Sequence, residues 1–174
     1  MLGATAAMAQ TIDSAYTSID LEKCQSVPPA TFGDDSNDSA YWACLGYDNS
    51  LVLVSEGDLR MFVSYGDNAI NEDSWHQTLP QFNNLNDTLE WRLKQVNGKW
   101  VPFATIVRYF TDPGDGGDKG EVLVVTKLEP GNTCHVAYID AKLTPNANEI
   151  ARQFADQFAE DFNCAVDEIH NVPS

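Results

Sequence analysis

The sequence has few basic residues. Its 174 residues contain 10 lysines and arginines against 26 aspartates and glutamates, so the formal net charge is −16. Phosphate backbones and anionic lipid headgroups repel a chain of this charge, and we expect neither nucleic acid nor an anionic membrane surface as a partner. No apolar run approaches the roughly 20 residues that a helix needs to cross a membrane, so no membrane span is expected.

Several catalytic and cofactor motifs are also missing. The sequence contains no G-x-S-x-G elbow, H-E-x-x-H pair, P-loop, G-x-G-x-x-G or C-x-x-C. Its three histidines, His76, His135 and His170, are far apart, and a disulfide at Cys134 would remove the thiol beside His135 as a nucleophile. We therefore expect no catalytic residue, no metal and no cofactor.

Cysteine is scarce, and the four cysteines are Cys24, Cys44, Cys134 and Cys164. Four cysteines allow three pairings, and the sequence alone leaves all three open. We favour Cys24–Cys44 and Cys134–Cys164, because each of these bridges would join neighbouring elements. A zinc site built from all four thiolates is the competing interpretation, and the absence of a C-x2-C pair weakens it.

The first residues resemble the end of a secretory signal. Ala7-Met8-Ala9 is a small-x-small cleavage site, which predicts cutting before Gln10. The alternative is an ordinary alanine-rich, disordered N-terminus. Four cysteines without metal-site spacing favour export. We predict a signal-peptide remnant over residues 1–9, one domain over residues 10–174, and a periplasmic or secreted location.

Alternating apolar residues predict a β-rich body that ends in a strand and a helix. In residues 88–94, Leu89, Trp91 and Leu93 should face inward, with Glu90, Arg92 and Lys94 outward. The helical spacing near the C-terminus comes from Ile150, Phe154, Phe158 and Phe162, with alanines beside them, and Thr144 or Asn146 can cap the helix.

These patterns predict an α+β fold. We expect an antiparallel β-sheet of about six or seven strands, with one C-terminal amphipathic α-helix packed on one face through the three phenylalanines. The tail, residues 165–174, is assigned to no element.

Two groups of residues are candidates for binding. The long aperiodic segment from Gly66 to Asp87 contains Trp75, His76 and Phe82, which can line a site; the alternative is that Trp75 and Phe82 hold the segment against the body. Three strand arginines, Arg60, Arg92 and Arg108, form a candidate anion-binding cluster. The alternative, which we favour, is that each arginine pairs with a nearby carboxylate.

Two acidic loops have weak calcium potential. Asp34, Ser36 and Asp38 have the spacing of a calcium loop, but Ser39 replaces its glycine and Leu45 its glutamate. The other loop covers residues 112–121, where aspartates recur every third residue, a spacing that fits no EF-hand. We expect a flexible acidic turn and a glycine-rich hairpin loop.

Blocks along most of the chain are similar to a group of exported proteins of alphaproteobacteria. The resemblance implies export and paired cysteines, and it carries no activity with it. The blocks that carry it are residues 16–24, Trp42-Ala-Cys44-x-Gly46, residues 56–60, 63–66, 89–92 and 104–108, and the strand 134–140 with the alanine-rich helix to Cys164.

Two classes of function remain. The first is a non-catalytic exported binding or accessory module of the bacterial cell envelope, whose partner is a protein or a small ligand. The second is a hydrolase that uses carboxylates such as Glu56 and Asp58. The absence of a recognisable nucleophile–base pair favours the first class. A lysozyme-inhibitor-like protein would share the size, export and disulfides, but no inhibitory loop motif supports that analogy.

Overall fold

The computed structural model describes residues 9–174, which contain two β-sheets and one α-helix. Four short 3-10 turns connect these elements, at Pro29–Phe32, Tyr47–Asn49, Ala69–Asn71 and Asp73–His76. The strands and the helix in chain order are β1 (Ile12–Ser18), β2 (Gln25–Val27), β3 (Ser39–Leu45), β4 (Leu51–Gly57), β5 (Arg60–Tyr65), β6 (Phe82–Val96), β7 (Lys99–Asp112), β8 (Gly120–Lys127), β9 (His135–Asp140), α1 (Ala147–Phe158) and β10 (His170–Val172).

The sheets correct the predicted architecture in part. A six-stranded sheet has the order β1-β6-β7-β8-β9-β10, and a four-stranded sheet has the order β2-β3-β4-β5. The α+β class is confirmed, but the prediction of one antiparallel sheet is wrong. There are two sheets, and β10, from the tail that the sequence left unassigned, pairs parallel with β9. The predicted signal remnant, residues 1–9, lies almost entirely outside the described residues.

The two sheets bury one core between them. Leu89, Trp91 and Leu93 of β6 face this core, as the alternation predicted. From the other sheet they meet apolar residues of β4 and β5. Burial of a large apolar side chain contributes about 1.5–3 kcal/mol, so this layer is a main source of stability. The residues from β4 and β5 are Val52, Val54, Met61, Val63 and Tyr65.

Helix α1 covers the opposite face of the six-stranded sheet, mainly through alanines. Ala151 and Ala155 are fully buried, whereas Phe154 and Phe158 are only half-buried and pack around His170 of β10. The predicted contact is therefore corrected for Phe154 and Phe158, whose rings cover the edge of the sheet while the alanines face it; Phe162, just after α1, is buried in this core as predicted. Asn146 is the N-cap residue, but its side chain donates or accepts no capping hydrogen bond.

Two ion pairs join α1 to β6, and a third joins β6 to Glu160 in the turn that follows the helix. The prediction that the charged face of β6 points outward is wrong, because that face lies under the helix. Charged residues two apart on a strand are about 6.6 Å apart, and residues four apart on a helix about 6 Å, so the two rows match. The pairs are Glu90–Arg152, Arg92–Asp156 and Lys94–Glu160.

Two disulfides link neighbouring elements. Cys24 bonds to Cys44, and Cys134 bonds to Cys164, which confirms the favoured pairing. The first bridge connects the segment before β2 to β3. The second joins the start of β9 to the segment after α1, and so fixes the helix at its C-terminal end. With all four cysteines paired, no thiolate is available for zinc.

Candidate functional site

The structure places each of the three candidate arginines beside its own carboxylate. Arg60 pairs with Asp58 at the β4–β5 turn, and its guanidinium also donates to the Pro80 carbonyl oxygen. On the other sheet, Arg92 makes a two-pronged contact with Asp156, with N···O distances of 2.6 and 2.8 Å. Arg108 pairs with Glu121, with an N···O distance of 2.6 Å. Shared anion binding by these arginines stays a prediction that these contacts do not favour.

The predicted binding loop is shorter than expected, because residues 82–87 belong to β6. Within it, Trp75 packs against Phe32 and Tyr41, with ring centroids 5.7 and 6.1 Å apart, whereas His76 is exposed. Phe82 lies elsewhere, beneath the Arg60 guanidinium at 4.9 Å from its ring centroid. The three candidate residues therefore do not line one surface together.

Buried hydrogen bonds fix this 66–81 segment to both sheets. The Ser64 hydroxyl donates to the Ala69 carbonyl oxygen at 2.7 Å, and Ser74 N–H donates to the Thr133 carbonyl oxygen at 3.1 Å. The Gln77 side chain accepts the backbone N–H of His135. These contacts make the segment a brace between β5 and the start of β9.

The carboxylates that the sequence suggested for hydrolysis or for calcium binding do not come together in one site. Glu56 lines an open groove with Phe82 and Phe110, while Asp58 is exposed and paired with Arg60. In the acidic loops, Asp34 accepts hydrogen bonds from Ser36 and Tyr41, and these hold its pKa at about 2. Among residues 9–174, no three His, Cys, Asp or Glu side chains cluster in a way that could hold a metal ion.

The cavity with the most apolar lining among the main pockets has a volume of about 340 Å³ and lies at the end of the sandwich where β5 and β8 finish. We call it the inter-sheet pocket. Its walls are mainly apolar, with two aromatic rings and two prolines, and it opens to solvent. Its volume lies in the range of small-ligand sites. Its lining residues are Ser50, Tyr65, Gly66, Asp67, Asn68, Glu72, Trp91, Pro102, Leu128, Glu129, Pro130 and Thr133.

Trp91 organises the wall of the inter-sheet pocket. Its ring is buried, packs edge-on against Tyr65 with centroids 5.9 Å apart, and donates a hydrogen bond from Nε1 to the Thr17 hydroxyl at 2.8 Å. Gly46 gives the ring its space, because a Cβ there would overlap the indole and come within 2.9 Å of Val52. The indole is thus held rigidly between three elements.

The turn after Gly46 brings Ser50 to the pocket. Asp48 and Asn49 both have positive φ, at 52° and 58°, a conformation that asparagine and aspartate tolerate better than most residues. Gly46 N–H closes the turn by donating to the Ser50 carbonyl oxygen at 2.7 Å. The Ser50 hydroxyl is buried and forms no hydrogen bond with any described residue.

Glu72 is the second buried polar group of the pocket. It is 3% exposed, and its two carboxylate oxygens accept backbone N–H groups of Gly131 and Thr133 at 2.7 and 3.0 Å. Tyr65 also lines the wall, and burial raises the pKa of its phenol, which keeps the group neutral. The lining residues include no histidine, lysine or arginine, so the pocket holds no Ser–His or Ser–Lys pair.

A histidine–tyrosine pair lies apart from this pocket. His135 Nδ1 is 2.8 Å from the Tyr138 hydroxyl oxygen, and the histidine is 1% exposed. Burial lowers the pKa of His135 to about 3 and raises the pKa of Tyr138 to about 12. Neither side chain therefore exchanges a proton readily near neutral pH, and the pair has the character of a core hydrogen bond.

Sequence reasoning missed most of this pocket. Gly46 and Tyr65 stood in the blocks that carried the family resemblance, and Trp91 was predicted as core, but nothing in their spacing indicated that they line one cavity. Glu72 lay inside the aperiodic segment with no signal of burial. Its contacts are made with residues about 60 positions away, at Gly131 and Thr133.

No protein-family model, curated protein or solved structure matches this chain. Within the described residues, no helix is long and apolar enough to cross a membrane. The geometry of the site is therefore the basis on which function is inferred.

Proposed function

We propose that the chain is a non-catalytic binding module, exported to the periplasm or secreted by a bacterium, that holds a small, largely apolar ligand in the inter-sheet pocket. The observation that carries this proposal is a cavity of about 340 Å³ with mainly apolar walls, lined by the Trp91 and Tyr65 rings and by the buried Glu72 side chain. Apolar walls with a few placed polar groups are the usual composition of a small-ligand site.

Rigidity supports binding as the function of this pocket. Trp91 is fixed by Thr17, Gly46 and Tyr65, and Glu72 holds the turn at Gly131 in place. A preformed wall loses little conformational entropy when a ligand enters, so more of the contact energy appears as affinity.

Export is supported by the two disulfides and by the sequence before Gln10. Disulfides persist in oxidising compartments and are rare in reducing ones. The family resemblance points in the same direction, and it gives the proposal its bacterial envelope setting.

Titration with a neutral aromatic probe tests the binding function. We expect 2-phenylethanol to shift the amide NMR signals of Ser50, Gly66, Asn68 and Thr133, residues that line the pocket. Leu128→Trp should fill the pocket and weaken binding at least tenfold, whereas the matched variant Leu45→Trp, at an exposed position of β3, should bind normally. Shifts scattered over the surface, or equal binding by both variants, would count against the proposal.

A further inference from the structure

We infer that the natural ligand of the inter-sheet pocket is a hydrophobic amine, with an apolar or aromatic body against Trp91 and Tyr65 and a cationic nitrogen beside Glu72. This inference rests on the proposed binding function and names the chemical class of its ligand. It follows from a charge that the protein buries without a basic partner of its own.

Glu72 differs from the other deeply buried carboxylate of the described chain. Glu90 is 8% exposed and forms an ion pair with Arg152, with an N···O distance of 2.6 Å. Glu72 is more deeply buried, at 3%, and no lysine, arginine or histidine among residues 9–174 forms an ion pair with it. A buried charge is costly unless a counter-charge or hydrogen bonds compensate it, and here only hydrogen bonds do so.

The remaining charges of the pocket have the same sign. Asp67 is exposed at the mouth and has no ion pair with a described residue, while Glu129 pairs with Lys127 at 3.1 Å. No basic side chain lines the cavity. The potential inside the pocket is therefore negative, which attracts a cation and repels carboxylate or phosphate ligands.

The Glu72 carboxylate has acceptor capacity left for such a ligand. Two oxygens offer about four lone-pair sites. Gly131 N–H and Thr133 N–H occupy one each, and the Asn68 side-chain amide makes a long contact of 3.5 Å. An ammonium group can therefore donate to Glu72 without displacing the backbone contacts.

The aromatic wall suits the same ligand class. The Trp91 and Tyr65 rings meet edge-on, at an interplanar angle of 79°, and both border the cavity. An aromatic or aliphatic body packs against such rings, and a nearby cation gains attraction from an aromatic face. A neutral hydrocarbon would use the rings but would leave the Glu72 charge uncompensated.

Three probes of one shape and different charge test the inference on the full chain. They are 2-phenylethylammonium, 2-phenylethanol and phenylacetate, titrated at pH 7 by NMR with the amide signals of the pocket residues as the readout. We expect the cation to bind at least tenfold more tightly than the alcohol, because a charge-assisted hydrogen bond is about twice as strong as a neutral one. Phenylacetate should bind most weakly.

Variants then assign the preference to Glu72. Glu72→Gln should remove most of the advantage of the cation over the alcohol, measured as the ratio of the two affinities within the same variant. Because Glu72→Gln alters two backbone contacts and can affect folding, Asp67→Asn provides a second variant at an exposed position. It should lower the ratio of cation affinity to alcohol affinity by a smaller factor, about two- to threefold.

The outcomes separate this inference from the binding function. Equal binding of the cation and the alcohol, or tighter binding of phenylacetate, overturns the amine assignment and leaves the binding module standing. A preference for the cation that survives in folded Glu72→Gln also overturns the role of Glu72. If none of the three probes shifts the pocket residues, both the binding function and the amine assignment are overturned.

Discussion

His135 is a residue whose burial links pH to stability. It is 1% exposed, its Nδ1 contacts the Tyr138 hydroxyl, and its backbone N–H donates to Gln77. No carboxylate forms an ion pair with it among the described residues. Desolvation therefore disfavours the imidazolium, and the pKa of His135 falls to about 3 in the folded protein.

We predict that the free energy of unfolding declines as the pH falls below about 6.5, the usual pKa of an unfolded-chain histidine. Since the folded protein has the lower pKa, the unfolded chain takes up the proton first. The contribution of His135 is then complete above pH 6.5 and is lost at about 1.4 kcal/mol per pH unit on the way down to about pH 3. Urea unfolding at pH 7, 6 and 5 measures the slope.

A matched pair of variants checks the assignment. His135→Gln should flatten the pH dependence between pH 6.5 and 5, a window above the titration of ordinary carboxylates. His76→Gln, at an exposed position, should keep the slope of the wild type. If His135→Gln keeps the slope as well, the acid sensitivity has another origin.

For single residues, the sequence correctly predicted the buried apolar face of β6, but it did not predict hydrogen-bond partners. Leu89, Trp91 and Leu93 were expected in the core and are there. Strand alternation states which face a side chain takes, but a partner such as Gln77 for His135 is 58 positions away and depends on the path of the chain between them. Local pattern therefore could not predict it.

The pairing of α1 with β6 is the main feature at the scale of elements. The Arg92–Asp156 pair is its central contact, and the arginine is 8% exposed. Arg92 also donates to the Ser14 hydroxyl at 2.6 Å, which extends the contact to β1. A guanidinium in this position is neutralised on one side and hydrogen-bonded on the other.

We predict that Arg92→Met lowers the free energy of unfolding by about 3 kcal/mol, because it leaves Asp156 partly buried without its counter-charge. Replacing both partners, in Arg92→Met/Asp156→Leu, should restore most of the loss. Chemical denaturation of the two variants measures the difference. Lys23→Met, which removes an exposed pair with Asp20, is the control and should leave stability nearly unchanged. Equal losses in the single and double variants would contradict the prediction.

Charge alternation misled the prediction at this scale. Glu90, Arg92 and Lys94 have the pattern of a solvent-facing strand edge, and α1 has the pattern of a helix with a polar face. Taken separately, each pattern predicts that its charged side chains face solvent. Two polar rows of opposite charge order can cover each other, and only the arrangement of the elements in space reveals that they do.

At the scale of the whole molecule, each of the two sheets has one disulfide. Cys24–Cys44 closes a sequence separation of 20 at the four-stranded sheet, and Cys134–Cys164 closes a separation of 30 between the six-stranded sheet and the segment after α1. Cross-links of this length restrict the unfolded chain, and the loop-entropy model assigns about 3 kcal/mol to each.

We predict that Cys134→Ala/Cys164→Ala lowers the free energy of unfolding by about 3 kcal/mol or more, since Cys134 is also buried in the core beneath α1. Cys24→Ala/Cys44→Ala is the matched variant and should lose about 3 kcal/mol. Urea unfolding at pH 7 measures both. A loss below about 1 kcal/mol at the helix bridge would show that packing alone holds α1 on the sheet.

The overall architecture was predictable only in outline. Helix α1 and the hairpins follow from local patterns, and the two bridges match the pairing that the sequence favoured among three possible ones. The second sheet did not, because β2 to β5 and β6 to β9 show the same alternation, and nothing local states where one sheet ends and another begins. The three residues of β10 were too few to show any period.

The two rows of charged residues, on β6 and on the helical side of the pairs, have slightly different spacings. Successive charged residues are about 6 Å apart along the helix and about 6.6 Å apart along the strand, so the misalignment grows by roughly 0.6 Å from one pair to the next. Three pairs span two intervals, over which the misalignment reaches about 1.2 Å, and flexible side chains absorb this, whereas a longer row would lose its alignment. This difference in spacing limits how many consecutive ion pairs can form between a helix and a strand, and the three pairs found here lie within that limit.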